Sequence, residues 1–351
     1  MEKHDLDHKK GWPLAGNKRV TDFLEKSVAN GKIANTYIFL GPKDLGKTAA
    51  AVFFAKSLLC QKQKPGTFFL PCLACSACRQ MQNSGSEETG FAALHGDFHL
   101  IKKETDKKNI SIEQVREFIR ILEMSSFLNS YKVGIIKDAD ALSEGAANAL
   151  LKTLEEPRPK VAIILTASRL ERIPATIVSR SQVLRFFPVR SSIIYDYLAN
   201  DLGCPRTEAK NISRLSLGRP ALAAKFFENR DFYQNYLEKT ETFLRFFRDN
   251  LNDRLKAVES ISGGSDDESK AESALGILNV WQGLSRDLIL LNVNNGDLIQ
   301  HEPQRGRLEK IAAQISGGKL FKISAALKLG EKYVRANVNP RLVLENIAIS
   351  I

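Results

Sequence analysis

Residues 41–48 read Gly-Pro-Lys-Asp-Leu-Gly-Lys-Thr, and this stretch restricts the possible fold more tightly than any other. Glycines at the first and sixth positions let the backbone curl until its N–H groups converge on phosphate oxygens. A helix must follow, so that its positive end faces the same anion. Both flanks comply: "TYIFL" (36–40) reads as an apolar strand and "GKTAAAVFFAKSLL" (46–59) as a helix springing from the loop. In such a loop Lys47 meets the β- and γ-phosphates and Thr48 the magnesium ion. ATP with Mg2+ is therefore the expected ligand, and Gly41, Gly46, Lys47 and Thr48 its expected contacts.

From 36 to 187 short apolar runs alternate with helical patterns, which predicts an α/β fold with a parallel sheet covered by helices. Further strands are expected at 97–101, 132–137, 161–166 and 182–186, and helices over 111–124 and 143–156. A serine suited to N-capping opens each of these helices, and Pro157 closes the second. The strand "KVGIIK" leads to Asp138, a carboxylate placed to hold magnesium through water, though an Asp at a strand end also serves as an ordinary helix cap. A hydrolysing site places a second acid next. Here Ala139 stands instead, and Asp140 is the nearest substitute.

Cys60, Cys72, Cys75 and Cys78 crowd into nineteen residues. Overlapping C-x2-C turns plus a fourth thiol suit tetrahedral zinc, with an iron–sulfur cluster as the second choice. Four protein ligands fill the coordination sphere, so Zn2+ would be structural. Cys204 stands apart and reads as core.

Past residue 188 the strand signal ends. Residues 189–229 read as a small helical bundle, and 230–351 as a second helical section with "GGSDDES" (263–269) as its loop. The apolar helix 274–293 suits a core or a subunit interface. A net charge of +11 in 351 residues favours a polyanionic neighbour such as nucleic acid. No apolar run reaches 18 residues, and the first twelve residues carry charges where a signal peptide needs an apolar segment, so a cytoplasmic protein is expected.

Taken together, the motifs resemble the AAA+ clamp-loader subunits of bacterial DNA polymerase III, and among them the delta-prime branch. The likeness is carried by "GNKRV" (16–20), similar to an adenine-pocket region, by the loop and by the four-cysteine module. It continues through "GDFHLI" (96–101), "ISIEQVREF" (110–118), "ANALLKTLEEP" (147–157) and "IPATIVSRSQ" (173–182). "LSRDLILL" (284–291) and "NVNPRLVLEN" (337–346) extend it towards the end of the chain.

The resemblance implies an AAA+ domain over 1–188 with a zinc module at about 60–80, a helical lid over 189–229 and a helical collar over 230–351 that joins the subunits of a ring. Arg180 matches the family's Ser-Arg-Cys arginine finger, which reaches the γ-phosphate bound by the next subunit; Ser181 replaces the usual Cys. Arg219, in "GRPAL", resembles the sensor-2 arginine that touches the γ-phosphate in cis, and the sensor-1 position falls near Ala167 or Ser168. In this family the gamma/tau motors follow the Asp with Glu, whereas delta-prime subunits lack that acid and act as a stator.

The resemblance therefore implies a non-catalytic subunit of a hetero-pentameric ring with gamma/tau and delta. That ring loads the sliding clamp onto primed DNA. An active gamma/tau-type ATPase using Asp140 is the alternative. An unrelated zinc-containing nucleic-acid-binding module would leave "LLKTLEEP" and the Ser-Arg motif unexplained.

Overall fold

A computed structural model describes residues 11–62, 70–82, 96–104, 107, 109–126, 131–262 and 267–351. The first ten residues, expected to be a solvated linker, lie outside the described residues, as do 63–69 of the cysteine module and 263–266 of the expected loop. The chain divides into two compact units. One takes in residues up to Ile193 with Arg219–Ala221, the other Ile194–Gly218 with Leu222–Ile351.

The first unit is built on a parallel sheet of β1 (Thr36–Leu40), β2 (Phe98–Ile101), β3 (Lys132–Ile136), β4 (Val161–Ala167) and β5 (Gln182–Arg185), in the order β2-β3-β4-β1-β5. Every residue of β1, β3 and β4 is buried, as expected where helices cover both faces. Successive side chains of β1 point to opposite faces. Tyr37 and Phe39 pack with Leu24 of α1 (Lys18–Ala29), Phe54 of α2 (Lys47–Leu59) and Met81 of α3 (Ser76–Gln82). Ile38 and Leu40 pack on the other face with Phe118 of α4 (Ile112–Glu123), Leu150 of α5 (Glu144–Glu155) and Ile177 of α6 (Ala175–Val178). At Gly134 a Cβ would stand 2.3 Å from Phe118, so the glycine lets α4 lie close on β3.

The two serines expected as caps perform that role. Ser111 Oγ accepts from Gln114 N–H while the Gln114 side chain accepts from Ser111 N–H, and Ser143 Oγ accepts from Ala146 N–H. Each such cap contributes about 1 kcal/mol. Ile110 N–H donates to Ala141 and Ser143 N–H donates to Ile110, so α4 and α5 start side by side.

The remaining helices are α7 (Ser191–Asp196), α8 (Arg206–Leu215), α9 (Pro220–Glu228), α10 (Arg230–Phe246), α11 (Leu251–Ile261), α12 (Asp267–Asn292), α13 (Arg305–Gln314), α14 (Gly317–Arg335) and α15 (Pro340–Ser350). The helix expected over 191–203 is broken: α7 passes into a π-helical turn over Tyr197–Asp201, and Gly203 ends it at φ 69°. Conversely α12 starts at Asp267, seven residues before its apolar stripe. Glu, Lys and Ala in "DESKAES" are good helix formers, so propensity extends the helix where periodicity is silent.

α12 runs through the core of the second unit. Its Trp281, fully buried, packs on Phe243 and Phe246 of α10 and donates its indole N–H to Lys239 at 3.0 Å. Among the described residues no helix is long and apolar enough to cross a membrane.

Candidate nucleotide site and cysteine cluster

The phosphate loop leaves the C-terminal edge of the sheet gripped by both neighbours of β1. Gly41 N–H donates to Ala167 at the end of β4 (3.1 Å), and Phe186 N–H, just past β5, donates to Leu40 (2.7 Å). A Cβ on Gly41, whose φ is 155°, would sit 2.4 Å from the Phe186 carbonyl, so only glycine fits this crossing. Leu45 is fully buried and anchors the loop, and Gly46 at φ 88° turns the chain into α2.

Lys47 is 6% exposed, and its Nζ donates to the carbonyls of Gly41 (2.7 Å) and Pro42 (2.6 Å). Burial pushes its pKa down, while the carboxylates of Asp138, Asp140 and Asp44 pull it back up. A formed glycine cradle around a buried lysine fits a phosphate group.

Asp138 sits in the left-handed region at φ 55°, with its N–H on Thr166 Oγ1 at 3.0 Å. Ala139, 2% exposed, joins the core between the sheet, α4 and α5. Asp140 Oδ2 accepts from Ser168 N–H at 3.3 Å, so this acid ties the end of β4 to the turn after β3. Of the two residues near which sensor-1 is expected, Ala167 is buried within β4, and the buried Ser168 Oγ has no hydrogen-bond partner among the described residues. The amide of Ala221, two residues after Arg219, donates to the Asp44 carbonyl at 3.0 Å, which brings the "GRPAL" segment to the loop.

Arg180 lies elsewhere. It follows α6, is exposed, and reaches Thr176 O with Nη1 (3.0 Å) and Glu155 Oε1 with Nη2 (2.9 Å). Gln182, two residues on, pairs with Tyr37 near the start of β1. Arg180 therefore sits at the N-terminal edge of the sheet and the loop at its C-terminal edge, separated by the length of a strand, roughly 13 Å.

The four cysteines converge. Their Sγ atoms lie within 4.8 Å of one another, close to the spacing of about 3.8 Å that a tetrahedral ion with 2.3 Å bonds requires. Cys60 caps α2, Leu73 turns the chain at φ 56°, and three amides donate to sulfur: Cys72 to Cys60 (3.4 Å), Cys75 to Cys72 (3.3 Å) and Cys78 to Cys75 (3.5 Å). Burial raises the Cys72 pKa, but the Ala74 and Cys75 amides outweigh it and bring the thiol to about 6; burial drives Cys60 and Cys78 upwards. The cluster fits a metal ion.

Among known proteins, the family described as DNA polymerase III, delta subunit, matches residues 16–190, about half of the chain. The delta-prime subunit of Haemophilus influenzae is 29% identical over 264 residues, 65% of this chain and 78% of that one. The chain belongs to the delta-prime family of DNA polymerase III clamp-loader subunits. The delta-prime subunit of Bacillus subtilis aligns with 95% of both chains at 23% identity. The tau subunit of the same organism is 32% identical over 181 residues, 52% of this chain and 30% of that protein.

Several residues at the site escaped the sequence reading. Asp44 was in plain view within the loop motif. Thr166 and the Phe186 carbonyl carry no motif, and Glu155, though inside "ANALLKTLEEP", carries no sign of its partner Arg180; pairings between distant segments bring them in.

Proposed function

We propose that this chain is a non-hydrolysing AAA+ subunit of the clamp loader, which binds nucleotide as a structural ligand and supplies Arg180 to nucleotide held by a neighbouring subunit. One observation carries the reading: Ala139 presents a buried methyl group where a general base would stand, and the nearest acid, Asp140, is engaged by Ser168 N–H. Without a base to orient water, hydrolysis loses about 10²–10⁴-fold. The loop amides and Lys47 would hold the phosphates, Thr48 and Asp138 the magnesium, and Arg219 the γ-phosphate. Bound ATP stabilises the fold by mass action.

The place of Arg180 supports its role in trans. From the sheet edge opposite its own loop it is suited to another subunit's phosphate, and its guanidinium is a rigid, permanently charged donor. In this proposal the four cysteines hold a structural Zn2+, the AAA+ domain and lid span 1–188 and 189–229, and the helices from 230 onward form the collar. Gamma/tau and delta complete a pentameric ring in the cytoplasm that loads the sliding clamp onto primed DNA. The test is a reconstituted loader with R180A in this subunit. Lower DNA-stimulated ATPase with the variant folded and assembled supports the role; unchanged ATPase removes it.

The tau match favours a second reading, an active ATPase with Asp140 as base. ATP turnover by the isolated chain that is lost in D140N would establish it.

A further inference from the structure

The fourth residue of the phosphate loop is an acid, and its setting is unusual for a site that receives polyphosphate. Asp44 is exposed at the mouth, with φ 63°. Its carbonyl is fixed by the Ala221 amide at 3.0 Å, while no hydrogen bond or ion pair engages its carboxylate among the described residues. Asp140, by contrast, is occupied by Ser168, and Asp138 ends a strand where magnesium would be held. The groups whose fields meet at Lys47 are one other cation, Lys43, and three anions, Asp44, Asp138 and Asp140. Within this set two cations face three anions, with Arg219 of the adjoining segment as a further cation, at a mouth whose ligand is itself an anion. Lys47, already bonded to two loop carbonyls, is the only buried cation of the set.

We propose that Asp44 sets the nucleotide affinity of this loop, repelling the β- and γ-phosphates so that nucleotide is held weakly and chiefly as its magnesium complex. The inference rests on the reading that the loop binds nucleotide. Magnesium neutralises half of the charge on ATP and so halves the repulsion. The left-handed backbone at this position also explains why the acid is tolerated: Asp and Asn adopt it at little cost, and glycine freely. Asp44→Asn thus removes the charge and keeps the turn, and Asp44→Gly removes the whole side chain.

The experiment is equilibrium titration of the full-length chain with ATP, with and without Mg2+, at low and high ionic strength, for the wild type, D44N and D44G, with melting curves to show that each is folded. Both variants are expected to bind MgATP about ten- to a hundredfold tighter than the wild type at low salt. The difference should grow without Mg2+ and shrink as salt rises. Equal affinity of D44N and wild type overturns the inference and leaves the nucleotide reading standing. Weaker binding by D44N also overturns it, by making the carboxylate a magnesium ligand. Absence of binding by all three proteins overturns both.

Discussion

Glu155 Oε1 holds the guanidinium of Arg180 at 2.9 Å, in an ion pair whose side chains are 51% and 37% exposed. Exposed pairs contribute about 0.2–1 kcal/mol, so the arginine is parked rather than locked and can exchange this carboxylate for a phosphate. R180A should therefore leave the chain folded, with a stability change below about 1 kcal/mol, while the reconstituted loader loses DNA-stimulated ATPase by about tenfold or more. E155Q should leave that ATPase intact. Denaturation of the isolated variants and turnover of the complexes read both quantities.

Asp140 is a structural acid in this account. Its Oδ2 accepts the Ser168 amide, and removing the carboxylate with D140A strands a donor near the core, at a cost of about 1–3 kcal/mol. A lower denaturation midpoint with no change in ATP turnover of the isolated chain is the expected pair of results.

The cysteine cluster should make metal affinity depend on pH. Burial keeps Cys60 and Cys78 protonated beyond the usual thiol range, while the Cys72 thiol, with a pKa of about 6, is ionised at neutral pH. The metal-bound form holds fewer protons, so affinity falls as pH falls, and more steeply below about 6, where Cys72 also takes up a proton. Competition against a chromophoric chelator between neutral and mildly acidic pH measures this. C78S, or removal of the metal, should lower the melting temperature and leave the parallel sheet folded.

In the second unit Asp287 is fully buried. Its Oδ2 accepts the amides of Gln300 (3.0 Å) and His301 (2.9 Å) and the His301 ring Nδ1 (2.8 Å), while His301 Nε2 meets the Tyr236 hydroxyl at 2.7 Å. D287A leaves these groups without their acceptor and should cost about 3–5 kcal/mol. Y236F, at the end of the chain of bonds, should cost about 1 kcal/mol. Chemical denaturation separates the two.

The parts legible in the sequence were those written locally. The loop, the strands, the two serine caps and the cysteine spacing all lie within windows of a few residues, where periodicity, capping and ligand geometry act. What stayed hidden was fixed by distant partners. The place of β1 between β4 and β5 depends on Thr36 meeting Ile163 and Tyr37 meeting Gln182, and it is the parallel pairing with β5 that puts Arg180 and the loop on opposite edges. The Asp287, His301 and Tyr236 cluster joins three segments with no shared motif. α1 was missed because Asn17 opens it in a left-handed conformation without a side-chain cap; its amide instead bridges to the Phe187 backbone at 2.8 and 3.0 Å.

The most direct test of the central claim is phosphate release by the isolated, highly purified chain in the presence of ATP and Mg2+, measured alongside bound nucleotide. The account predicts occupancy without steady turnover, for the wild type and D140N alike. Sustained phosphate release that disappears in both K47A and D140N would contradict it and make this subunit a motor.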